Sequence, residues 1–222
     1  MQKAIFSWSG GKDSMHALHE VMAAGGYEVT ALLSTYNTDS NRVFMHGVRI
    51  ELLREQTRSL GLPLIDIGLG KDHTSADYES AMRAVLMREK ASGVSAVIFG
   101  DIFLEDLRQY RVDRLETVGM NAVFPLWKRD TKELARRFIS LGYKAVVTCA
   151  DGNELGEEYV GREYDLEFIQ SLPAAVDPCG ENGEFHTFVY DGPNFRMKIE
   201  VIAGEKILRD NRFWFCELDV EP

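Results

Sequence analysis

The sequence predicts an α/β protein in which a mostly parallel, doubly wound sheet is followed by a smaller mixed α+β part. Three observations predict this class. Short apolar runs alternate with longer segments of helical periodicity along most of the 222 residues. A glycine-rich turn joins the first apolar run to the first helical one, and the end of the chain changes to short alternating runs.

Six apolar runs are predicted as strands. They cover residues 4–8, 30–36, 64–67, 96–100, 122–126 and 145–149. Since a helical segment separates most of these runs, we expect parallel strands with helices on both faces of the sheet. Ligands of such sheets bind beyond the carboxyl ends of the strands, where the strand order reverses.

Five helical segments carry recognisable start or stop signals. The first follows the glycine-rich turn, and the second runs from Val48 to a stop at Gly61. The third begins at Thr74-x-x-Asp77 and ends at Gly93. The fourth ends at Gly119, and the fifth runs from about Thr131 to Gly142. These signals are a capping box at the start and glycine at the ends.

The last part of the chain has the alternation of antiparallel strands. Residues 197–201 and 213–218 alternate apolar and polar side chains, and we predict a turn between them at Gly204-Glu205. We place a domain boundary near Trp127, which divides the chain into residues 1–127 and 128–222.

Composition excludes several classes of protein. The formal net charge of −10 argues against a nucleic-acid backbone as the main partner. Three widely separated cysteines indicate neither a disulfide framework nor a C-x-x-C metal site, and Cys179 is kept as a thiol close to a ligand. Because no signal sequence or membrane span is visible, we expect a cytoplasmic protein.

The turn after the first strand has the composition of a phosphate-binding loop. It reads Ser9-Gly10-Gly11-Lys12-Asp13-Ser14 and leads into a helix. Glycines let the backbone approach an anion, serines donate hydrogen bonds, Lys12 adds a mobile positive charge, and the helix N-terminus attracts negative charge. A simple turn capped by Asp13 or Ser14 is the alternative, although a cap needs only one short polar residue.

This loop resembles the S-G-G-x-D-S motif of the PP-loop, or N-type, ATP pyrophosphatases. The resemblance implies an adenine-nucleotide alpha-hydrolase-like fold and cleavage of ATP between its α- and β-phosphates, with transfer of AMP to a carbonyl oxygen. It implies that residues 9–14 bind the phosphates and that Lys12 and Asp13 take part in catalysis. Residues 1–127 would then form the ATP-binding domain.

Further ATP contacts are predicted at the same edge of the sheet. Gly100 and Asp101 follow a buried strand, so Asp101 could hold Mg²⁺ on the phosphates or cap a helix, with Asp13 as the rival metal ligand. Ser34 lies in the predicted strand at residues 30–36 and His46 follows the next polar loop, and we assign both to ATP binding. The alternative for His46 is a polar residue that makes its hydrogen bonds within the protein and contacts no ligand.

A second unusual patch spans residues 178–187. Its carboxylates Glu181 and Glu184 could bind a cation, coordinate a metal or act as a general base, while a Gly-Asn hairpin loop with solvated glutamates is the alternative. The patch is similar to the G-E-x-G-E-[FY]-x-T motif of the diphthine–ammonia ligase branch of the PP-loop superfamily. Further matches include Arg114-Leu115-Glu116 and Gly161-Arg162.

The resemblance to this branch implies that ATP activates a carboxylate, which ammonia then converts to an amide in the cytoplasm. Diphthine on elongation factor 2 is the acceptor that it implies, and Glu181 and Glu184 join the catalytic set. Residues 128–222 would shape the acceptor site, and a homodimer is kept as a candidate assembly. The acceptor-binding residues that follow from the motifs are Arg114, Glu116, Gly161, Arg162, Gly180, Gly183 and Thr187.

Alternatives to this activity stay open at this point. The same fold could amidate another carboxylate, thiolate a base, or bind adenine nucleotides as a sensor without turnover. For Arg114 and Arg162, surface ion pairs explain the residues nearly as well as a role in holding an anion.

Overall fold

The structure is a computed structural model that describes residues 1–44 and 47–220. Its strands are β1 Gln2–Ser7, β2 Tyr27–Asn37, β3 Arg42–Val43, β4 Leu64–Leu69, β5 Val94–Ile98, β6 Asn121–Val123, β7 Lys144–Asp151, β8 Phe185–Asp191, β9 Val201–Arg209 and β10 Phe213–Val220. Its α-helices are α1 Lys12–Ala24, α2 Ile50–Leu60, α3 Ser75–Ala91, α4 Glu105–Glu116, α5 Thr131–Ser140 and α6 Leu166–Ser171.

The first sheet is mostly parallel, as the sequence predicts. β1 lies between β2 and β5, β4 pairs with β2, β6 pairs with β5, and all of these pairs are parallel. Among the strands in residues 1–44 and 47–220, the short β3 is the one antiparallel member of this sheet, at the end of β2. The strand order therefore reverses around β1, which places the glycine-rich loop at the crevice where such sheets bind ligands.

Helices cover both faces of this sheet, because side chains of each strand alternate between two apolar clusters. Ile5 and Leu33 join the cluster beneath α3 and α4, which includes Leu86 and Leu115. Phe6 and Leu32 point the other way, into a cluster that takes in α1 and α2 and continues into the C-terminal part. The doubly wound prediction is confirmed.

The second sheet is antiparallel, with the order β8-β7-β10-β9. The run at residues 145–149, predicted as the last parallel strand, lies in β7 of this sheet instead. An apolar run buried on both faces reads the same in a parallel sheet and in the centre of an antiparallel one, so periodicity could not separate the two.

Two further predictions about the C-terminal strands are wrong. Gly204 and Glu205 lie inside β9, and the hairpin turn falls at Asp210 and Asn211, whose φ angles are 53° and 51°. Aspartate and asparagine tolerate this left-handed conformation. The segment at residues 197–200 is not a strand. The backbone N–H of Met197, at its start, donates to the Ser59 hydroxyl near the end of α2.

Candidate functional site

A cavity of about 890 Å³ opens at the carboxyl edge of the first sheet. Three loops of that sheet form one side of it: the glycine-rich loop after β1, the end of β2, and the turn after β5. The opposite side is formed by residues 180–187 and by the strands β7 and β10 of the second sheet. The two parts of the chain thus share one cavity.

Hydrogen bonds within the glycine-rich loop hold its two serines together. The hydroxyl oxygens of Ser9 and Ser14 lie 3.1 Å apart, and the Ser14 hydroxyl donates to the Gly11 carbonyl at 2.9 Å. Gly10 has a φ of 79°, and a Cβ there would lie 2.7 Å from Leu53 Cδ1. The positive φ therefore favours glycine here, and a Cβ would also require the Leu53 side chain to shift.

Gly100 lets the turn after β5 approach the same loop. A Cβ on Gly100 would lie 2.9 Å from the backbone nitrogen of Ser14 and 3.0 Å from the carbonyl carbon of Asp13. Because these neighbours are backbone atoms at the start of α1, they cannot move aside as a flexible side chain could. The predicted ATP contacts Gly100 and residues 9–14 are thus in direct contact with each other.

Gln56, which is fully buried on α2, bonds to the glycine-rich loop, to Trp8 just before it and to strand β8. Its carbonyl oxygen accepts from the Trp8 indole at 2.7 Å, and its amide donates to the Gly10 carbonyl at 2.9 Å and to the Val189 carbonyl at 2.6 Å. This side chain therefore ties β1, the glycine-rich loop and β8 together.

Lys12 is fixed and buried, which corrects the expectation of a mobile charge. Its side chain is 4 % exposed, and its ammonium donates to Asp13 Oδ2 at 2.9 Å and to the Cys179 carbonyl. The ammonium also lies 5.0 Å from the centre of the Phe185 ring. Burial lowers the pKa of Lys12. The charge of Asp13, the hydrogen bond to Asp13 and the nearby Cys179 and Glu181 together raise it by more, so the pKa lies above its ordinary value.

The two predicted metal ligands are each paired with a cation. Asp13 pairs with Lys12, and Asp101 pairs with Arg111: its Oδ1 accepts from Arg111 Nη2 at 3.1 Å, and its Oδ2 lies 2.9 Å from Arg111 Nε. Among the residues that the structure describes, no group of three or more histidine, cysteine or acidic side chains is arranged to hold a metal. Two carboxylates beside a phosphate-binding loop can hold Mg²⁺ only where phosphate oxygens supply further ligands of the metal.

The two glutamates of the second patch have different surroundings. Glu181 lines the cavity, and its carboxylate accepts from the backbone N–H groups of Ile102 and Phe103 at 2.7 Å and 3.2 Å. Burial, and next the charge of Asp13, raise its pKa to about 7, although the two backbone donors oppose the shift. Glu181 therefore titrates near neutral pH.

Glu184, in contrast, is buried behind the cavity wall. Its carboxylate accepts from the backbone N–H of Asp177 and from both the backbone and the side-chain N–H of Asn182, at 2.9 to 3.0 Å. These three bonds hold the loop that carries Glu181. The structure thus brings only Glu181 of the pair to the cavity surface.

Thr187 and the glycines of the same patch also reach the cavity. The Thr187 hydroxyl accepts from the backbone N–H of Lys12 at 3.0 Å, so this residue caps α1 from the second sheet. Gly180 and Gly183 line the cavity. Ser34 lies there as well, buried, and its hydroxyl has no hydrogen-bond partner among residues 1–44 and 47–220.

Several predicted acceptor-binding residues lie away from this cavity. Arg114 is exposed on α4 and pairs with Glu79, and Glu116 is exposed on the same helix. Gly161 packs against Cys216, while Arg162 stacks on Tyr159 and Phe168 and bonds Ser171. These four residues are not among those that line the cavity. The predicted contact His46 lies outside the described residues.

Cys179 is not a reactive thiol in this arrangement. The side chain is buried, and its S–H donates to the Thr131 carbonyl at 3.4 Å. Burial raises the thiol pKa well above its ordinary value, and the nearby charge of Asp13 raises it further. A thiol with a raised pKa is a poor nucleophile at neutral pH.

Sequence reasoning missed Gln56, Arg111 and the Asp151–Arg212 pair, which all contact the loop or line the cavity. Arg111 pairs with Asp101 and lies 4.4 Å from the centre of the Phe99 ring. Asp151 and Arg212 are 61 residues apart and meet only in the folded sheet. A signal existed for Asp151 alone, since a charged residue directly follows the apolar run of β7.

A mostly parallel sheet whose first strand passes through Ser-Gly-Gly-Lys-Asp-Ser into a helix defines a PP-loop protein. Residues 1–122 match the diphthamide synthase N-terminal domain, and residues 130–219 match the diphthamide synthase C-terminal domain. The chain therefore belongs to the diphthamide synthase family.

Curated relatives align with most of this chain. The diphthine–ammonia ligase of Mus musculus is 28% identical, with 90% of this chain and 83% of the relative covered. That of Homo sapiens is 25% identical at the same coverage of 90% and 83%. That of Saccharomyces cerevisiae is 25% identical over 87% of this chain but only 33% of its own length.

A solved structure of lower similarity is the U34-tRNA thiolase NcsA from Methanococcus maripaludis with its [4Fe-4S] cluster. It is 14% identical, with a TM-score of 0.39, and the match covers 63% of this chain and 58% of that one. Separately, none of the helices in the described parts of the chain combines the length and apolar character needed to cross a membrane.

Proposed function

We propose that this protein is an ATP-dependent amide ligase that adenylates a carboxylate and then amidates it with ammonia. The observation that carries this proposal is the position of Glu181, which titrates near pH 7, in the same cavity as the glycine-rich loop. Membership of the diphthamide synthase family supports it, as do relatives named diphthine–ammonia ligase.

Adenylation is needed because a carboxylate does not react with an amine at neutral pH. We assign the β- and γ-phosphates of ATP to the loop at residues 9–14, where the serine hydroxyls and the N-terminus of α1 face the cavity. The buried Lys12 ammonium offsets the charge that grows on the departing pyrophosphate. Asp13 and Asp101 are the carboxylates that would hold Mg²⁺, which supplies charge neutralisation on the phosphates.

Ser34 extends the proposed nucleotide site along β2. Its buried hydroxyl lines the cavity and has no partner among the described residues, and a buried polar group without a partner is costly unless a ligand satisfies it. An ATP hydroxyl or ring nitrogen would satisfy it. We keep His46 as a predicted ATP contact.

Glu181 is the group that we assign to ammonia. Ammonia is mostly ammonium at neutral pH, so it must be bound and must lose a proton before it attacks the acyl adenylate. The Glu181 carboxylate attracts the cation and takes that proton, and the nitrogen then displaces AMP. A carboxyl whose pKa is about 7 can carry out both steps.

We further propose that residues 128–222 shape the acceptor site and that the acceptor is diphthine on elongation factor 2, in the cytoplasm. The second sheet supports this division, because β7, β8 and β10 form the cavity wall that faces the glycine-rich loop. A homodimer remains a prediction. Arg114, Glu116, Gly161 and Arg162 are left out of the proposed acceptor site because they lie away from the cavity.

Product analysis tests the proposal. Purified protein is mixed with ATP, magnesium, heavy-nitrogen-labelled ammonia and a panel of carboxylates that includes a diphthine-bearing peptide. We expect AMP, pyrophosphate and labelled amide in equal amounts. Formation of ADP and phosphate would contradict adenylation, and tight ATP binding without turnover across the panel would favour a nucleotide sensor.

A further inference from the structure

A second cavity, of about 390 Å³, lies between α3 and α4. Leu33 and Val97 of the first sheet form its floor, and side chains of the two helices form its sides. Leu33, Phe99 and Arg111 line the first cavity as well, so the two cavities share a wall. The described lining of the second cavity includes none of residues 9–14, and this cavity is called the helix cleft below.

The helix cleft is open because α3 presents small side chains to it. Ala76 and Ser80 lie about one turn apart on α3 and line the cleft. At the surface, Arg114 of α4 pairs with Glu79 of α3, so charged side chains join the two helices there. Beneath this contact is a volume that the side chains of the described chain do not fill.

The inner surface of the helix cleft is largely apolar. Leu86, Leu115 and Val118 line it, and they belong to the apolar cluster beneath α3 and α4. Tyr78 adds its aromatic ring. A ligand with an apolar body would remove this surface from water, and small molecules commonly bind in apolar pockets of about 300–1,000 Å³.

The rim of the helix cleft carries a positive charge that is available to a ligand. Three arginines line the cleft, and two of them, Arg111 and Arg114, are each paired with a carboxylate. The third, Arg83, is exposed and donates to the Thr117 hydroxyl at 3.5 Å, the outer limit of a hydrogen bond. Within residues 1–44 and 47–220, Arg83 has no acidic partner. The rim therefore complements an anion at Arg83.

We propose that the helix cleft is a second ligand site, which takes an amphipathic carboxylate. The apolar body of the ligand occupies the cleft, and its carboxylate pairs with Arg83 at the rim. The ion pairs of Arg111 and Arg114 stay intact in this arrangement. The site goes beyond the proposed function and does not depend on it, because the described lining of the cleft contains neither the glycine-rich loop nor Glu181.

Calorimetric titration of the full-length protein tests this site with three probes: octanoate, decanoate and 1-octanol. Each probe is kept below the concentration at which it aggregates, and it is added first to the free protein and then to protein saturated with ATP. We expect octanoate to bind in both states, with affinities that differ by less than about threefold. Decanoate should bind about tenfold more tightly than octanoate, because two further methylene groups leave water.

The variant Arg83→Gln is expected to weaken octanoate binding by about fivefold and to leave 1-octanol binding unchanged. The effect is modest because the ion pair is exposed, and it is confined to the probe that carries a charge. Arg88→Gln is the matched control, since Arg88 lies on the same helix, pairs with Glu89 and is absent from the cleft lining. We expect this control to bind all three probes as the wild type does.

Three results would overturn the inference. Octanoate that does not bind the wild type, or that ATP displaces completely, would show that the helix cleft is not a separate ligand site. Equal losses for octanoate and 1-octanol in Arg83→Gln would show that Arg83 acts on the fold and not on the carboxylate. None of these measurements uses turnover, so the ligase proposal is tested separately by its own product analysis.

Discussion

The substitution Gln56→Leu tests whether a single buried amide holds the glycine-rich loop in place. Leucine has nearly the same volume but makes none of the three hydrogen bonds that Gln56 makes to Trp8, Gly10 and Val189. Each lost bond removes about 1 kcal/mol, and the buried Trp8 donor left without a partner costs about 1–3 kcal/mol more. We therefore expect a loss of about 4–6 kcal/mol in the free energy of unfolding.

The assay is urea denaturation followed by ATP titration under conditions where the variant stays folded. We expect an unchanged denaturant slope, a lower midpoint, and ATP binding at least about tenfold weaker, because the Gly10 carbonyl loses one of its two donors and keeps only the backbone N–H of Val189. Glu51→Gln on the exposed face of α2 is the control and is expected to change stability by under about 0.5 kcal/mol. A loss below about 1 kcal/mol for Gln56→Leu would refute this reasoning.

Three further predictions concern the residues around the loop. Gly100→Ala should weaken ATP binding and reduce stability by about 1–3 kcal/mol, because the new methyl would lie 2.9 Å from the Ser14 nitrogen; a variant with wild-type affinity in calorimetry would contradict this. Thr187→Val should lower the thermal midpoint through loss of about 1 kcal/mol, since the Lys12 N–H loses its acceptor, while Thr187→Ser should restore it. The pKa of Glu181 is raised to about 7 in the folded protein, so the folded state holds this proton more tightly than the unfolded state does. The free energy of unfolding of the wild type, measured relative to that of Glu181→Gln, should therefore fall as pH rises from about 4.5 to about 7. Turnover at saturating ammonia should rise with pH as Glu181 ionises, and this rise should be absent in Glu181→Gln. If the two proteins gave the same pH dependence of both stability and turnover, the assignment would be contradicted.

Local signals in the sequence were sufficient for the first sheet and its loop. The strand before Ser9, the glycines and the helix after them each act over a few residues, so the strand–turn–helix unit follows from spacing alone. The capping box at Thr74 and Asp77 is present for the same reason.

Features that depend on distant residues could not be predicted in this way. The membership of residues 145–149 in the second sheet is decided by pairing with β8 and β10, and the Gln56 contacts join segments that are up to 133 residues apart. Glu181 and Glu184 look alike in sequence. Only the folded loop shows that Glu184 is buried under three donors while Glu181 faces the cavity.

The central claim is that the acceptor carboxylate attacks the α-phosphate of an ATP held by the glycine-rich loop. Transfer of label from an acceptor whose carboxylate carries heavy oxygen tests it most directly, with the products separated and analysed by mass spectrometry. We expect one heavy oxygen in AMP for each amide formed. Heavy oxygen in inorganic phosphate, with AMP unlabelled, would contradict it.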